Sequence, residues 1–257
     1  PEGRRGDVNG DELDAPMNYR FREPTIEFLN GRWDAYRYAD EMNRLLEDYP
    51  EPFMNACLNL LGSHDTERIR TALCGIPDAR TLSREEQLRH NPDEATLLRA
   101  GERVVSGYAL MAFLPGVPCI YYGDEAGMTG MSDPLNRGTF PWGREDTALT
   151  DRVRALMRLH NSSDAIGNGG VRIAAVGRQT LCVVRKNEAE TLILLVNASD
   201  TPARAILYPA LFREGPALLG PVELSGTYRD ENGETVTARS TLSVTVPANG
   251  FRILKKQ

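Results

Sequence analysis

The sequence predicts an α/β unit over residues 1–164 followed by an all-β unit over residues 165–257. In the first unit, short apolar stretches alternate with helical patterns, which is typical of a parallel sheet with crossover helices. From Val171 onward the chain holds short β-rich runs that are separated by turn sequences, among them Glu231-Asn232-Gly233. The change of character at residues 161–164 therefore marks the predicted domain boundary.

The first elements of the α/β unit follow from their apolar patterns. A short strand is predicted at 15–19 and a short helix at 23–29. Residues 33–49 carry apolar side chains at a helical period along one stripe. The apolar run 57–61 ends at Gly62, as expected of a strand that is buried on both faces.

The remaining elements complete the two units. Acidic residues in the sequence Pro92-Asp93-Glu94 favour the start of a long helix, which is predicted to run to about Leu114. Residues 119–122 are predicted as the next buried strand and residues 149–159 as the last helix. The second unit shows no long helix, and its β-rich runs predict a small antiparallel β-sandwich; they lie at 180–185, 191–197, 203–207 and 242–246.

Composition excludes several classes of function. The net charge is −6 and no cluster of Lys and Arg follows a predicted face, which argues against nucleic acid as a partner. The most apolar window, residues 104–122, is broken by glycines and prolines, so no membrane span of roughly 20 apolar residues is predicted. No metal-ligand spacing and no phosphate-binding glycine loop is recognised, so neither a metal nor another cofactor is expected.

The four cysteines are spaced without any Cys-x-x-Cys pair; they are Cys57, Cys74, Cys119 and Cys182. Most of them fall in stretches predicted to be buried, which favours unpaired structural thiols over a disulfide framework. Free thiols favour a reducing, cytoplasmic location. The sequence opens on Pro1 rather than Met, and we expect the natural N-terminus to lie further upstream.

His64 and Asp65 directly follow the predicted strand 57–61, at its carboxyl end. In parallel α/β folds this end carries the chemistry, because the loops there converge. The Asp65 carboxylate can accept hydrogen bonds from two hydroxyls of a ligand, and the His64 imidazole can donate to a third. The alternative is that Asp65 caps a helix that begins near Thr66.

Two further groups of polar residues lie later in the chain. Asp133 and Arg137 occupy a loop and together can bind the hydroxyls of a ligand, although a surface ion pair is the alternative. Asp124-Glu125 is not interpreted as a catalytic pair, because adjacent residues in an extended segment point to opposite sides. Trp142 could stack on the ring of a ligand, but core packing is the interpretation favoured for such an aromatic residue.

The order of the short motifs resembles the second half of the α-amylase family, glycoside hydrolase family 13, most of all its neopullulanases and cyclomaltodextrinases. The resemblance implies a partial (β/α)8 TIM barrel, with about the last three βα units, followed by a C-terminal antiparallel β-sandwich. The motifs that carry it are Gly62-Ser63-His64-Asp65-Thr66-x-Arg68, Pro115-Gly116-Val117-Pro118-x-Ile120-Tyr121-Tyr122-Gly123-Asp124-Glu125, Asp133-Pro134-x-Asn136-Arg137 and Pro141-Trp142-Gly143.

The same resemblance implies roles for individual residues. Asp65 would be the third catalytic carboxylate, which fixes and distorts the ring at the scissile bond, and His64 would bind the same sugar. Asp133 and Arg137 would hold the glucose one unit further toward the non-reducing side. The implied substrate is an α-glucan oligosaccharide, such as a maltooligosaccharide, cyclodextrin or pullulan, cleaved with retention at α-1,4 or α-1,6 bonds.

The family's nucleophile and acid/base find no counterpart in this sequence, which resembles only the later part of the catalytic barrel. We therefore expect the chain to be inactive by itself. About three parallel strands leave two unpaired edges, whereas a closed barrel needs eight strands. The missing N-terminal half of the barrel or a second copy of the chain is expected to complete it. The alternative from another class is a non-catalytic carbohydrate-binding or scaffolding protein.

Overall fold

The computed structural model describes residues 15–77, 79–212 and 222–257. The α/β part contains a three-stranded parallel sheet in the order β1-β2-β3. These strands are β1 (Met17–Asn18), β2 (Leu58–Leu60) and β3 (Val117–Cys119). Because β2 pairs with both neighbours, it lies at the centre of this sheet. Residues 6–14, which also contributed to the resemblance, lie outside the described residues.

Eight α-helices connect and follow these strands within the described part of the chain. They are α1 (Tyr19–Leu29), α2 (Ala35–Asp48), α3 (Glu51–Ala56), α4 (Ile69–Ala72), α5 (Arg84–Arg89), α6 (Glu94–Phe113), α7 (Thr147–Ser162) and α8 (Asp164–Asn168). Two short 3-10 helices lie at Ala79–Thr81 and Pro209–Phe212.

Capping side chains account for where three of the helices begin. The prediction for the first helix was four residues short at its start, because the side chain of Asn18 accepts a hydrogen bond from the Phe21 amide and caps α1. Asp93 caps α6, as its acidic start predicted, and Asp146 caps α7. The long helices confirm the predictions made from the periodic patterns. Their ends were predicted less well, because periodicity identifies a helix better than it identifies its ends.

The prediction for the third strand was wrong in position and in burial. The strand lies at Val117–Cys119 rather than at 119–122, and Val117 is exposed. The chain leaves the sheet after Cys119 and then turns, with the Asp124 amide donating to the Tyr121 carbonyl. Among the described residues no strand pairs with the outer side of β3, so it forms an edge of this sheet.

The second part is built of antiparallel strands, as predicted. Six strands form one sheet in the order β4-β5-β6-β11-β8-β9, and β7 pairs with β10 in a second sheet. Their bounds are β4 (Gly170–Gly177), β5 (Thr180–Lys186), β6 (Thr191–Asn197), β7 (Ala203–Leu207), β8 (Gly226–Asp230), β9 (Thr235–Ala238), β10 (Leu242–Val246) and β11 (Gly250–Lys256).

The six-stranded sheet is covered on both faces, which explains why β5 and β6 are apolar at almost every position. Val183 and Leu194 belong to the core that also contains the helices of the α/β part. Cys182 and Leu195 point to the other face, where they pack with residues of β7 and β10. The predicted boundary at 164/165 stays a prediction, and a single apolar core extends across it.

All four cysteines are free thiols, and Cys57 and Cys182 are buried. Burial raises the pKa of the Cys57 thiol above its ordinary value, as expected for a side chain that serves as a small apolar group. In the described part of the chain, no helix is both long enough and apolar enough to cross a membrane.

Candidate functional site

The candidate residues lie where the three parallel strands end. Asn18 caps α1 at the end of β1, and His64 and Asp65 follow β2. The turn at Tyr121 and Tyr122 follows β3. The hydroxyls of Tyr19 and Ser63 lie 3.3 Å apart and connect the first two of these loops. Because parallel strands deliver their carboxyl ends to one edge, residues far apart in sequence meet there.

His64 and Asp65 form the exposed centre of the site. His64 Nε2 lies 3.2 Å from Asp65 Oδ1, and the two side chains are 56% and 62% exposed. Two short-range bonds shape the loop: the Asp65 amide donates to Ser63 Oγ and the Ser63 amide donates to Thr66 Oγ1, each at 3.1 Å. The alternative role for Asp65 as a helix cap is wrong, since α4 begins only at Ile69.

A second loop, which holds Asp133 and Arg137, lies beside the first loop, which holds His64 and Asp65. Arg137 Nε lies 2.6 Å from Asp133 Oδ1, which is the ion pair that the sequence left open as an alternative. The pair is not remote from the first loop, because Arg137 Nη2 donates to the His64 carbonyl at 3.3 Å. The structure therefore brings together all four residues that the sequence selected.

Asn136 is a residue of this site to which the sequence assigned no role. Its side chain is fully buried, and its amide nitrogen donates to the carbonyls of His64 at 2.9 Å and Thr66 at 2.6 Å. The only signal was its place within the motif Asp133-Pro134-x-Asn136-Arg137. No local sequence pattern indicates that this side chain contacts a loop some 70 residues earlier in the chain.

A buried ion pair lies beneath the exposed residues. Arg68 Nη1 lies 3.0 Å from Asp124 Oδ1, both side chains are fully buried, and the same nitrogen donates to the Tyr122 carbonyl at 2.6 Å. The Arg68 guanidinium also lies 4.8 Å from the ring centroids of Tyr121 and Tyr122. This placement gives Arg68 a structural role and agrees with the interpretation of Asp124 as a non-catalytic carboxylate.

Gly62 is required by the position of Asp124. A Cβ atom at residue 62 would lie 2.0 Å from Asp124 Oδ2, a distance that no side chain can adopt. The glycine that ends the strand pattern in the sequence thus allows a buried carboxylate to approach the backbone of the site loop.

Burial makes the stability of the fold depend on the protonation of Asp124. Desolvation raises the pKa of this carboxyl from its usual 3.8 to about 7, although Arg68 opposes the shift. Between these two values the folded state holds a proton that the unfolded state has released. The free energy of unfolding is therefore expected to fall as pH rises from 4 to 7, by up to about 1.4 kcal/mol per pH unit from this group.

Urea unfolding of the wild type and of Asp124→Asn across this pH range measures that contribution. The free energy of unfolding is expected to fall more steeply with pH in the wild type than in Asp124→Asn. This difference in slope does not depend on how the substitution changes overall stability. Equal slopes for the two proteins would contradict the expectation.

Aromatic surface extends the site away from the strands. Trp142 is 80% exposed and its ring centroid lies 4.4 Å from that of Phe140. The expectation that Trp142 packs in the core is wrong, because its loop runs over the surface and turns at residues 142–143. Tyr122 is also exposed, and its hydroxyl donates to the Gly138 carbonyl at 2.8 Å.

The exposed side chains of the site supply hydrogen-bond donors and acceptors. Across residues 15–77, 79–212 and 222–257, no group of three or more His, Cys, Asp and Glu side chains is placed to hold an ion. What the site offers instead is an exposed carboxylate, an imidazole and a paired guanidinium, which match the donors and acceptors of sugar hydroxyls.

Residues 7–166 match the family model described as "Alpha amylase, catalytic domain". The chain is 31% identical over 253 residues to an amylopullulanase of Thermoanaerobacter thermohydrosulfuricus, a match that covers 90% of this chain and 16% of that enzyme. It is 29% identical over 252 residues to a cyclomaltodextrinase of Geobacillus thermopakistaniensis, covering 95% of this chain and 37% of that protein. This chain therefore spans well under half the length of these curated relatives.

Among solved structures, a debranching enzyme from Nostoc punctiforme superposes with a TM-score of 0.72 at 28% identity. The superposition covers 97% of this chain and 49% of that enzyme. Both the α/β part and the β-sandwich therefore have their equivalents in the solved enzyme.

Proposed function

The chain belongs to the α-amylase family, whose catalytic-domain model it matches over residues 7–166, and on that premise we propose that it supplies the sugar-holding part of a retaining α-glucan hydrolase. The proposed substrates are glucans with α-1,4 and α-1,6 bonds, such as maltooligosaccharides, cyclodextrins and pullulan. The names of the relatives, among them amylopullulanase and cyclomaltodextrinase, support this class of substrate.

The observation that carries the proposal is the convergence of two loops at the carboxyl ends of the strands. His64 and Asp65 come from one loop, and Arg137 from the other donates to the His64 carbonyl. Two exposed acceptor and donor groups on adjacent loops can contact successive sugar rings of an oligosaccharide.

Each residue has a proposed role in holding the substrate. The Asp65 carboxylate accepts hydrogen bonds from two neighbouring hydroxyls of the sugar at the scissile bond, which strengthen as the ring distorts toward the oxocarbenium-like transition state. His64 donates to a hydroxyl of the same ring. Asp133 and Arg137 bind the next glucose, and Trp142 offers an apolar face for stacking.

The nucleophile and the acid/base of the proposed reaction are assigned to no residue of this sequence. We propose that the three parallel strands are part of a (β/α)8 barrel whose other strands supply those two carboxyls. The free outer side of β3 within the described residues supports this arrangement, because an uncovered strand edge favours pairing with another strand. The chain by itself is then expected to bind glucans but not to cleave them.

Arg137→Ala is expected to weaken the binding of maltohexaose by roughly 10- to 100-fold, since a hydrogen bond from a charged donor contributes about 1.5–3 kcal/mol. Titration of the sugar into this chain, followed by NMR, measures the dissociation constant. Arg152→Ala is the matched control: Arg152 is 41% exposed against 45% for Arg137, and each pairs with a carboxylate at 2.6 Å. Equal weakening by the two substitutions would contradict the proposed role of the Asp133–Arg137 loop.

A further inference from the structure

The side chain of Asn136 connects the two loops of the site. Its Nδ2 atom faces three carbonyl oxygens of the first loop, those of Ser63 at 3.5 Å, His64 at 2.9 Å and Thr66 at 2.6 Å. It immediately precedes Arg137, which donates to the His64 carbonyl as well. One buried amide therefore donates to several carbonyls of a segment that forms neither a helix nor a strand.

Of the three carbonyls, that of Thr66 depends most on Asn136, because the Ser63 carbonyl also accepts from the Thr66 amide at 3.4 Å and the His64 carbonyl also accepts from Arg137. Helix α4 begins only at Ile69, so residues 63–66 receive no support from a helical ladder. A buried carbonyl that loses its donor is left unsatisfied, which is more costly than the net gain of an average hydrogen bond. The start of the second loop is anchored separately, since the Arg68 amide donates to the Gly130 carbonyl at 2.9 Å and Thr71 Oγ1 accepts from the Gly130 amide at 2.8 Å.

We propose that Asn136 is a positioning residue that holds the Asp65 loop and the Arg137 loop in one fixed arrangement. The two loops contact neighbouring sugars, so their relative position sets whether both sugars can be bound at once. This inference rests on the proposed function for the role of Asp65 and Arg137. The loop restraint itself rests only on the contacts of Asn136.

Asn136→Asp is the substitution that tests the restraint. It keeps the shape of the side chain and replaces the donor nitrogen by an oxygen that faces carbonyl oxygens. Asn197→Asp is the matched control, because Asn197 is also fully buried and its Nδ2 donates to three carbonyls, those of Thr201, Val246 and Pro247, in the β-sandwich. Both variants lose a comparable set of bonds, and only one of them lies at the site.

The experiment measures hydrogen–deuterium exchange of residues 63–66 and the dissociation constant of maltohexaose in this chain at pH 8. In Asn136→Asp we expect exchange in 63–66 to accelerate and binding to weaken, each by at least about tenfold, because the loss of even one hydrogen bond can produce a change of that size. In Asn197→Asp both quantities are expected to stay at the wild-type values. Asn136→Ser keeps a donor on a shorter side chain, so its exchange rate and its dissociation constant are expected to lie between those of the wild type and of Asn136→Asp. This variant replaces Asn136→Asp in the experiment if the latter fails to fold.

The outcomes separate this inference from the proposed function. Unchanged exchange of residues 63–66 in Asn136→Asp or Asn136→Ser would overturn the positioning role, and so would equal effects from Asn197→Asp. If the wild type binds no maltohexaose, glucan binding by this chain is wrong, while the exchange measurement still decides whether Asn136 holds the loop.

Discussion

Asp65→Asn is expected to lower kcat for α-glucan hydrolysis by roughly 10²- to 10⁴-fold in the hydrolase that we propose this chain helps to form, because hydrogen bonds that strengthen on ring distortion supply several kcal/mol. An asparagine is nearly the same size but offers one neutral acceptor in place of a carboxylate. The stability of the fold should change little, since the Asp65 side chain is 62% exposed. The measurement is the release of reducing sugar from a cyclodextrin.

Asp40→Asn is a suitable control for this experiment. Asp40 is also 62% exposed and pairs with Arg44 on the surface at 2.8 Å, away from the strand ends. If the Asp65→Asn variant has the same turnover as the Asp40→Asn variant, a catalytic role for Asp65 is ruled out. The 257-residue chain alone is expected to release no sugar, and release that disappears in Asp65→Asn would show that this sequence already contains a complete site.

Arg68→Met is expected to have the largest effect on stability. Removing one partner of a buried ion pair leaves the other charge uncompensated, which typically costs about 3–5 kcal/mol. The substitution also removes the bond to the Tyr122 carbonyl and the cation over the rings of Tyr121 and Tyr122. The free energy of unfolding from urea denaturation at pH 8, where Asp124 is ionised, measures the loss.

The loss should be smaller at pH 5. There the Asp124 carboxyl is largely protonated in the folded state, because its pKa of about 7 lies above this pH. Arg185→Met is the control, since Arg185 is buried but donates to the carbonyls of Ala165 and Ile166 rather than to a carboxylate. If the loss in the free energy of unfolding changes between pH 5 and pH 8 by a similar amount in both variants, Asp124 is not the cause of the pH dependence.

The sequence by itself determined the class of fold and selected four exposed polar residues that the structure brings together. Helical periodicity located α2 and α6, and turn sequences located the antiparallel strands, because these signals depend on residues that are neighbours in the chain. The place of His64 and Asp65 after a strand whose carboxyl end carries chemistry left helix capping open as an alternative for Asp65, and the resemblance to the family selected the two residues. The shifted position of β3 shows the limit of such signals, since pairing with β2 decided which residues entered the sheet.

Only the tertiary structure decided what lies beneath and between those residues. Asn136 reaches carbonyls that are 70–73 residues away, and the partner of Arg68 is 56 residues away. The exposure of Trp142 depended on the path of its loop rather than on its type. Contacts of this kind arise when separate segments pack against each other, and no local pattern of residues encodes which buried donor will face which acceptor.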